Sequence, residues 1–171
     1  MKSPFQELSI KGVFFAPALV HADQRGWLCE TFRQDWLETA GLTELNPVMG
    51  YVSFTNPGVT RGPHEHRYQT DIFAFLGPSD FLVFLWDNRQ NSATFQHQLK
   101  LTLGASQPAL LIVPPGVVHG YKNIGSVPGL VINTPNRLYQ GTNRRQSPQS
   151  THRKQRASHL PLKPVPDFGT R

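Results

Sequence analysis

The chain has 171 residues, 38% of them apolar, with one cysteine and a formal charge of +6; that length suits one domain with a core of its own and is short for two. Cys29 alone excludes an internal disulfide, and the longest apolar run, Phe81 to Trp86, falls far short of the roughly 20 residues of a membrane-spanning helix. The positive charge is local, because residues 137–171 hold eight Lys or Arg against Asp167, giving +7, whereas residues 1–136 hold nine bases against ten acids, giving −1.

From Leu8 to Phe15 the pattern is extended, and a loop containing Asp23-Gln24-Arg25-Gly26 leads into Trp27 to Phe32, rich in the aromatic and β-branched types that strands favour. One short helix is expected over Arg33 to Ala40, with Trp36, Leu37 and Ala40 at helical spacing and Gly41 suited to a left-handed cap. Val48 to Thr55 follows as a strand, then the turn Asn56-Pro57-Gly58 and a strand carrying two histidines. Gln69 to Leu76 is extended, and Phe81 to Asp87 is so uniformly apolar that neither of its faces should meet much water. After the turn Asp87-Asn88-Arg89, residues Ala93 to Leu103 alternate as a half-buried strand. Leu110 to Val113 and Leu130 to Thr134 bring the total to at least eight strands, so the expected class is all-β, a sandwich or barrel.

Composition divides the chain into a body, residues 1–140, and a basic, apolar-poor extension, residues 141–171, which lacks the apolar groups to order itself and is expected to be irregular. Within it, Leu160 to Pro166 is suited to lie extended against the body. The runs Arg144-Arg145 and Arg153-Lys154-Gln155-Arg156 invite a nucleic-acid partner. Phe168 is the sole aromatic after Tyr139, however, so the stacking groups of single-strand binders are missing and no nucleic-acid partner is expected. The opening MKSPFQELSIKGVFF has neither a long apolar core nor a small-residue cleavage site. A soluble, cytoplasmic protein without a membrane partner is therefore expected.

The chemistry centres on Arg61-Gly62-Pro63-His64-Glu65-His66. Side chains two apart on an extended chain share a face, and Pro63 suits a strand entrance, an edge or a bulge. Two imidazoles on one face allow proton transfer or metal ligation, or form a structural pair held by hydrogen bonds. Asp71 and Gly77 follow, and Pro114-Pro115-Gly116-Val117-Val118-His119 with Asn123 forms a second cluster. The two patterns resemble the paired motifs of the cupin superfamily, which implies a jelly-roll barrel, the double-stranded β-helix, with the three histidines in one pocket.

A closer resemblance covers roughly residues 8–140. Asp23-Gln24-Arg25-Gly26-Trp27 with Glu30 and Phe32, Ser53 through His64, Asp87-Asn88-Arg89 with Ser92 to Phe95, and Val113 through Tyr121 are similar to the dTDP-4-dehydrorhamnose 3,5-epimerase family. The resemblance implies a nucleotide-linked 4-keto-6-deoxy sugar as substrate, a homodimer and no cofactor. It assigns His64 as the base, with His119 and Arg61 lining the pocket. It implies substrate-binding roles for Arg25, Glu30, Ser53, Arg61, Asp87 and Tyr139, with Arg25 toward the diphosphate and its segment reaching a neighbouring subunit.

Three positions depart from the family pattern: Ile132 stands where a tyrosine proton donor is expected, Asp71 falls at about the position of a pocket lysine, and the acid that orients the base has no visible counterpart unless Asp167 supplies it. His66 replaces a glutamine, and the resulting RGxHxH run resembles the sugar-nucleotide 3,4-ketoisomerases, with His66 sharing the proton shuttle. In the alternative, His64, His66, Asp71 and His119 hold one divalent metal ion, since imidazole with carboxylate suits Fe, Mn, Ni or Zn. A catalytically silent nucleotide-sugar-binding homologue is the remaining alternative.

Overall fold

The computed structural model describes residues 3–138. Twelve strands and one helix appear among them: β1 (Gln6–Glu7), β2 (Phe14–Pro17), β3 (Val20–Asp23), β4 (Gly26–Cys29), α1 (Gln34–Thr39), β5 (Tyr51–Thr55), β6 (Thr60–His64), β7 (Asp71–Gly77), β8 (Asp80–Asp87), β9 (Gln98–Gly104), β10 (Ala109–Val113), β11 (Val117–Asn123) and β12 (Gly129–Asn133). They form a six-stranded sheet in the order β1-β2-β10-β7-β12-β5, a four-stranded sheet in the order β6-β11-β8-β9, and a separate hairpin β3-β4. This is the expected all-β, cupin-type architecture with one short helix.

The two larger sheets face each other across one core. Phe73 and Phe75 of β7, Leu111 and Val113 of β10 and Val131 of β12 meet Phe81, Val83 and Leu85 of β8, Leu103 of β9, and Val117 and Tyr121 of β11. Edge-on aromatic contacts at ring distances of 5.5 Å join Tyr121 to both Phe75 and Phe81. On the opposite face of the six-stranded sheet, Ile72 and Ile112 meet Leu37 of α1, while Ala74, Leu110 and Ile132 meet Trp36. Strand periodicity thus assigns odd positions of β7 to the interior and even ones to the helix side. On β8, no residue of Phe81 to Trp86 is fully exposed, as its uniform apolarity requires.

Several boundaries differ from expectation. Leu8 to Phe15 is not one strand: the chain reverses through Ser9 to Gly12, with Leu8 N–H bonded to the Val13 carbonyl, and Gly12 takes a positive φ. The Asp23–Gly26 loop is the tip of a hairpin whose second strand ends at Cys29 rather than Phe32. β9 begins at Gln98 rather than Ala93, because Ser92 and Thr94 hydroxyls donate to the Asp87 carboxylate and Gln96 adopts φ +66°. Those side-chain bonds win the backbone for a loop despite its alternating sequence. The extension 141–171, with its expected extended segment, lies outside the described residues.

Candidate active site

β6 and β11 place His64 directly opposite His119. The approach depends on Gly62, where φ is +92° and a Cβ would stand 2.8 Å from the His119 carbonyl oxygen and 3.0 Å from Gly120 Cα. Their ladder shifts register between His119 and Tyr121, the irregularity that lets β6 curl over the pocket. β6 ends at His64, so His66 does not share its face by strand period, as the sequence suggested. The loop carries it there instead, with the His66 carbonyl accepting from Gly116 N–H at 2.9 Å in the turn that opens β11.

Asp71 comes from the opposing sheet, where it opens β7, and is completely buried. Its Oδ1 accepts from Gln69 Nε2 at 2.7 Å and from Asn133 Nδ2 at 2.9 Å. Its Oδ2 stands 3.2 Å from His66 Nε2 and 3.2 Å from His119 Nε2. His119 is 3% exposed, and its Nδ1 lies 3.0 Å from the Val117 carbonyl oxygen. A carbonyl only accepts, so the hydrogen is assigned to Nδ1, and in the neutral ring Nε2 presents a lone pair to the carboxylate. Asp71 Oδ2 and His119 Nε2 are close in distance, yet neither completes a hydrogen bond of acceptable geometry. One ligand atom from each of His64, His66, Asp71 and His119 falls within 4.8 Å of all the others.

Burial among the rings, followed by the neighbouring His119 and His66, pushes His64 down to about 4, so the imidazole is neutral at pH 7 and able to accept a proton. It retains solvent access on one side and stacks edge-on against His119 with ring centres 4.4 Å apart. Burial works to raise the Asp71 carboxyl, whereas the His119 and His66 imidazoles, when they present a proton to it, outweigh burial and lower it well below the usual carboxylate range.

β5 supplies the adjoining wall. Tyr51 is the cross-strand partner of Asn133, whose Nδ2 donates to the phenol oxygen at 2.8 Å. Ser53 Oγ and Tyr121 OH are 2.7 Å apart. Burial raises both phenols above their ordinary value and keeps them protonated. Arg61 leans from β6 to β5, donating through Nε to Thr55 Oγ1 at 2.8 Å and through Nη2 to the Phe54 carbonyl at 2.7 Å.

The structure thus joins His64, His66, Asp71 and His119, with Ser53 and Arg61 on the neighbouring strands. Arg25 lies at the exposed hairpin tip paired with Asp23, and Glu30 holds Arg33 at 3.0 Å before α1. Asp87 is wholly buried at the end of β8, where Arg89, Ser92 and Thr94 occupy its carboxylate. Tyr139 and Asp167 lie outside the described residues. Ile132 faces Trp36 and not the pocket, so the inward positions of that strand are Val131 and Asn133. Sequence reasoning missed Tyr51, Gln69 and Asn133. The available signal was that Tyr51 shares a strand face with Ser53.

The dTDP-4-dehydrorhamnose 3,5-epimerase family matches residues 7–145 of this chain. A probable low-salt glycan biosynthesis epimerase of Haloferax volcanii is 39% identical over 121 residues, covering 70% of this chain and 74% of that protein. The crystal structure of dTDP-4-dehydrorhamnose 3,5-epimerase from Sulfolobus tokodaii has a TM-score of 0.68 at 27% identity, covering 81% of this chain and 78% of the other. The epimerase structure from Bacillus anthracis, with TDP and PPi bound, has a TM-score of 0.69 at 25% identity, covering 80% and 78%.

Proposed function

The chain belongs to the dTDP-4-dehydrorhamnose 3,5-epimerase family, and on that premise we propose that it isomerises a nucleotide-linked 4-keto-6-deoxy sugar by moving a proton at a carbon beside the ketone. The observation that carries this reading is His64: a neutral imidazole at the rim of a pocket, solvent-accessible on one side and backed by His119 on the other. The C–H proton passes to the imidazole, and the bonding pair moves into the ring carbons and out to the ketone oxygen, giving an enolate. Return of a proton to the other face of the same carbon inverts it, whereas passage of that carbon's hydroxyl proton to the enolate oxygen, with proton return to the former ketone carbon, moves the ketone. His66, held near Asp71, is suited to the second proton transfer.

In this reading Ser53, Arg61 and Tyr51 contact the sugar from the β5 side. Arg25 and Glu30 belong to a segment that serves a second copy of the chain. The homodimer is supported by the β3-β4 hairpin, which leaves Trp27 and Leu28 58% and 63% exposed, too much apolar surface for a hairpin that joins neither larger sheet. No helix among the described residues is long and apolar enough to cross a membrane, and we place the protein in the cytoplasm.

The test is incubation with a dTDP-4-keto-6-deoxyhexose in heavy water, followed by NMR of the sugar. Deuterium at C3 and C5 identifies double epimerisation, and deuterium at C4 with the carbonyl moved to C3 identifies ketoisomerisation. His64→Ala should abolish either. Tight binding with no exchange at any carbon would leave a silent nucleotide-sugar binder and sink the catalytic reading.

A further inference from the structure

An enolate beside Asp71 poses an electrostatic problem that the described residues, Arg61 and the Tyr51 hydroxyl among them, meet only in part. Developing negative charge needs a cation or strong donors aimed at the oxygen. The pocket instead contains a buried carboxylate, and the Nε and Nη2 donors of Arg61 are committed to Thr55 and the Phe54 carbonyl. A fully buried anion is also costly on its own unless paired or bound to a metal.

We propose that His66, Asp71 and His119 bind one divalent transition-metal ion; His66 then serves as a ligand in place of the second proton carrier, and His64 remains the proton acceptor. Three independent features converge on the same point. Of the four buried side-chain atoms without a hydrogen-bond partner among the described residues, Asp71 Oδ2 and His119 Nε2 face each other there, and the other two, Gln69 Oε1 and Asn133 Oδ1, belong to the amides that hold Asp71 Oδ1. The donor spacing is right: ligands about 2.1 Å from a cation stand about 3.0 to 3.4 Å apart in octahedral or tetrahedral geometry, and Asp71 Oδ2 is 3.2 Å from each of the two imidazole nitrogens.

The supporting groups are also in place, because ligand imidazoles and carboxylates are ordinarily fixed by hydrogen bonds on their far atoms. The Val117 carbonyl fixes Nδ1–H of His119, and Gln69 with Asn133 fixes Asp71 Oδ1, so that each residue keeps one lone-pair atom for the centre. Two imidazoles and a carboxylate suit Fe, Mn, Ni or Zn and leave positions open for a sugar oxygen. When bound, the ion supplies positive charge beside the ketone oxygen. The ion's role at the ketone rests on the isomerase reading, whereas the site itself rests on the ligand geometry.

The test uses the full chain, stripped with EDTA and titrated with Co²⁺, with stoichiometry from elemental analysis and geometry from the visible d–d absorption. One equivalent per chain with a ligand-field spectrum is expected. His66→Gln and Asp71→Asn should each weaken uptake by more than the roughly 10- to 100-fold that loss of a supporting hydrogen bond costs, while metal-free melting curves confirm that both variants fold. His64→Ala should keep full uptake while losing deuterium exchange.

Substoichiometric uptake by the parent would overturn the proposal, as would equal uptake by His66→Gln and Asp71→Asn, which would place the ion elsewhere. Loss of uptake in His64→Ala would overturn the three-ligand assignment. Exchange by metal-free protein would sink the metal's role and leave the isomerase reading intact, whereas stoichiometric Co²⁺ with no exchange on any nucleotide sugar would do the reverse.

Discussion

Asn133 bridges Tyr51 and Asp71, one amide hydrogen going to the phenol oxygen at 2.8 Å and the other to the carboxylate at 2.9 Å. Because the Tyr51 oxygen accepts there, its own hydrogen is available to a ligand. Tyr51→Phe is expected to slow product formation roughly 100-fold, within the range of lost general acid catalysis, with deuterium wash-in at the carbon beside the ketone reduced less. Equal loss of wash-in and turnover would show that Tyr51 only positions the sugar. Asn133→Leu removes a donor from a buried carboxylate and should cost about 1–3 kcal/mol, visible as a lower Tm in the metal-free protein.

Gly62→Ala should damage the pocket from the backbone. At φ +92°, with a Cβ 2.8 Å from the His119 carbonyl, the substitution adds strain of about 1–3 kcal/mol and pushes β6 away from β11. The expected result is a lower Tm together with loss of exchange, because His64 no longer stands opposite His119. Gly58→Ala, at another positive φ with nothing within 4 Å of the built Cβ, serves as control, showing the strain without loss of exchange per folded molecule.

Asp87 sets part of the acid stability. Burial raises its carboxyl, but donors from Arg89, Ser92 and Thr94 outweigh this and hold it well below the usual range. Since the folded value lies below the unfolded one, near 3.9, its stabilisation is fully present above about pH 4 and is lost as pH falls through the folded value. Asp87→Asn should therefore lower Tm at pH 6 and flatten the decline of Tm between pH 5 and pH 2.5. An unchanged slope would assign the acid sensitivity to other carboxylates, Asp71 first among them.

The hairpin offers a test of assembly. Leu28→Asp should convert a dimer to monomers in light scattering, weakening association by about 2–4 kcal/mol if Leu28 is a central contact. A monomeric parent would remove the dimer from the account and with it the role of Arg25 in a neighbour's pocket.

Most strands were legible because their apolar residues follow simple rules. The apolar stretch of β8 had to be hidden on both sides, and Trp36 and Leu37 had to be covered by a sheet. His64, His66 and His119 were legible as a set through the resemblance of their two segments to the paired cupin motifs. The phase of β12 was not, because the turn after Asn123 decides which residues face inward. Counting thirteen positions from His119 reaches Ile132 on the helix side, whereas the pocket residue is Asn133. Gln69 and Asn133 join through the Asp71 carboxylate across 64 positions of sequence, a relation that no local pattern encodes. Residues 93–97 misled because side-chain bonds to Asp87 override an alternating pattern.

β5 and β6 are consecutive in sequence and lie at the margins of different sheets, each paired on one side alone among the described residues. Between them no backbone ladder runs, and the Arg61 guanidinium spans the seam through Thr55 and the Phe54 carbonyl. With Ser53 to Tyr121 and Asn123 Nδ2 to the Thr55 carbonyl tying β5 to β11 as well, the seam is fastened by side chains, and such a seam opens at a smaller free-energy cost than one laced by strand hydrogen bonds. The barrel thus has a built-in direction of breathing beside its histidines, and a bulky nucleotide sugar can enter and leave while β7, β10 and β11 stay locked. Amide exchange should be fastest along β5 and β6 in the parent and faster still in Arg61→Ala, with the central strands unchanged.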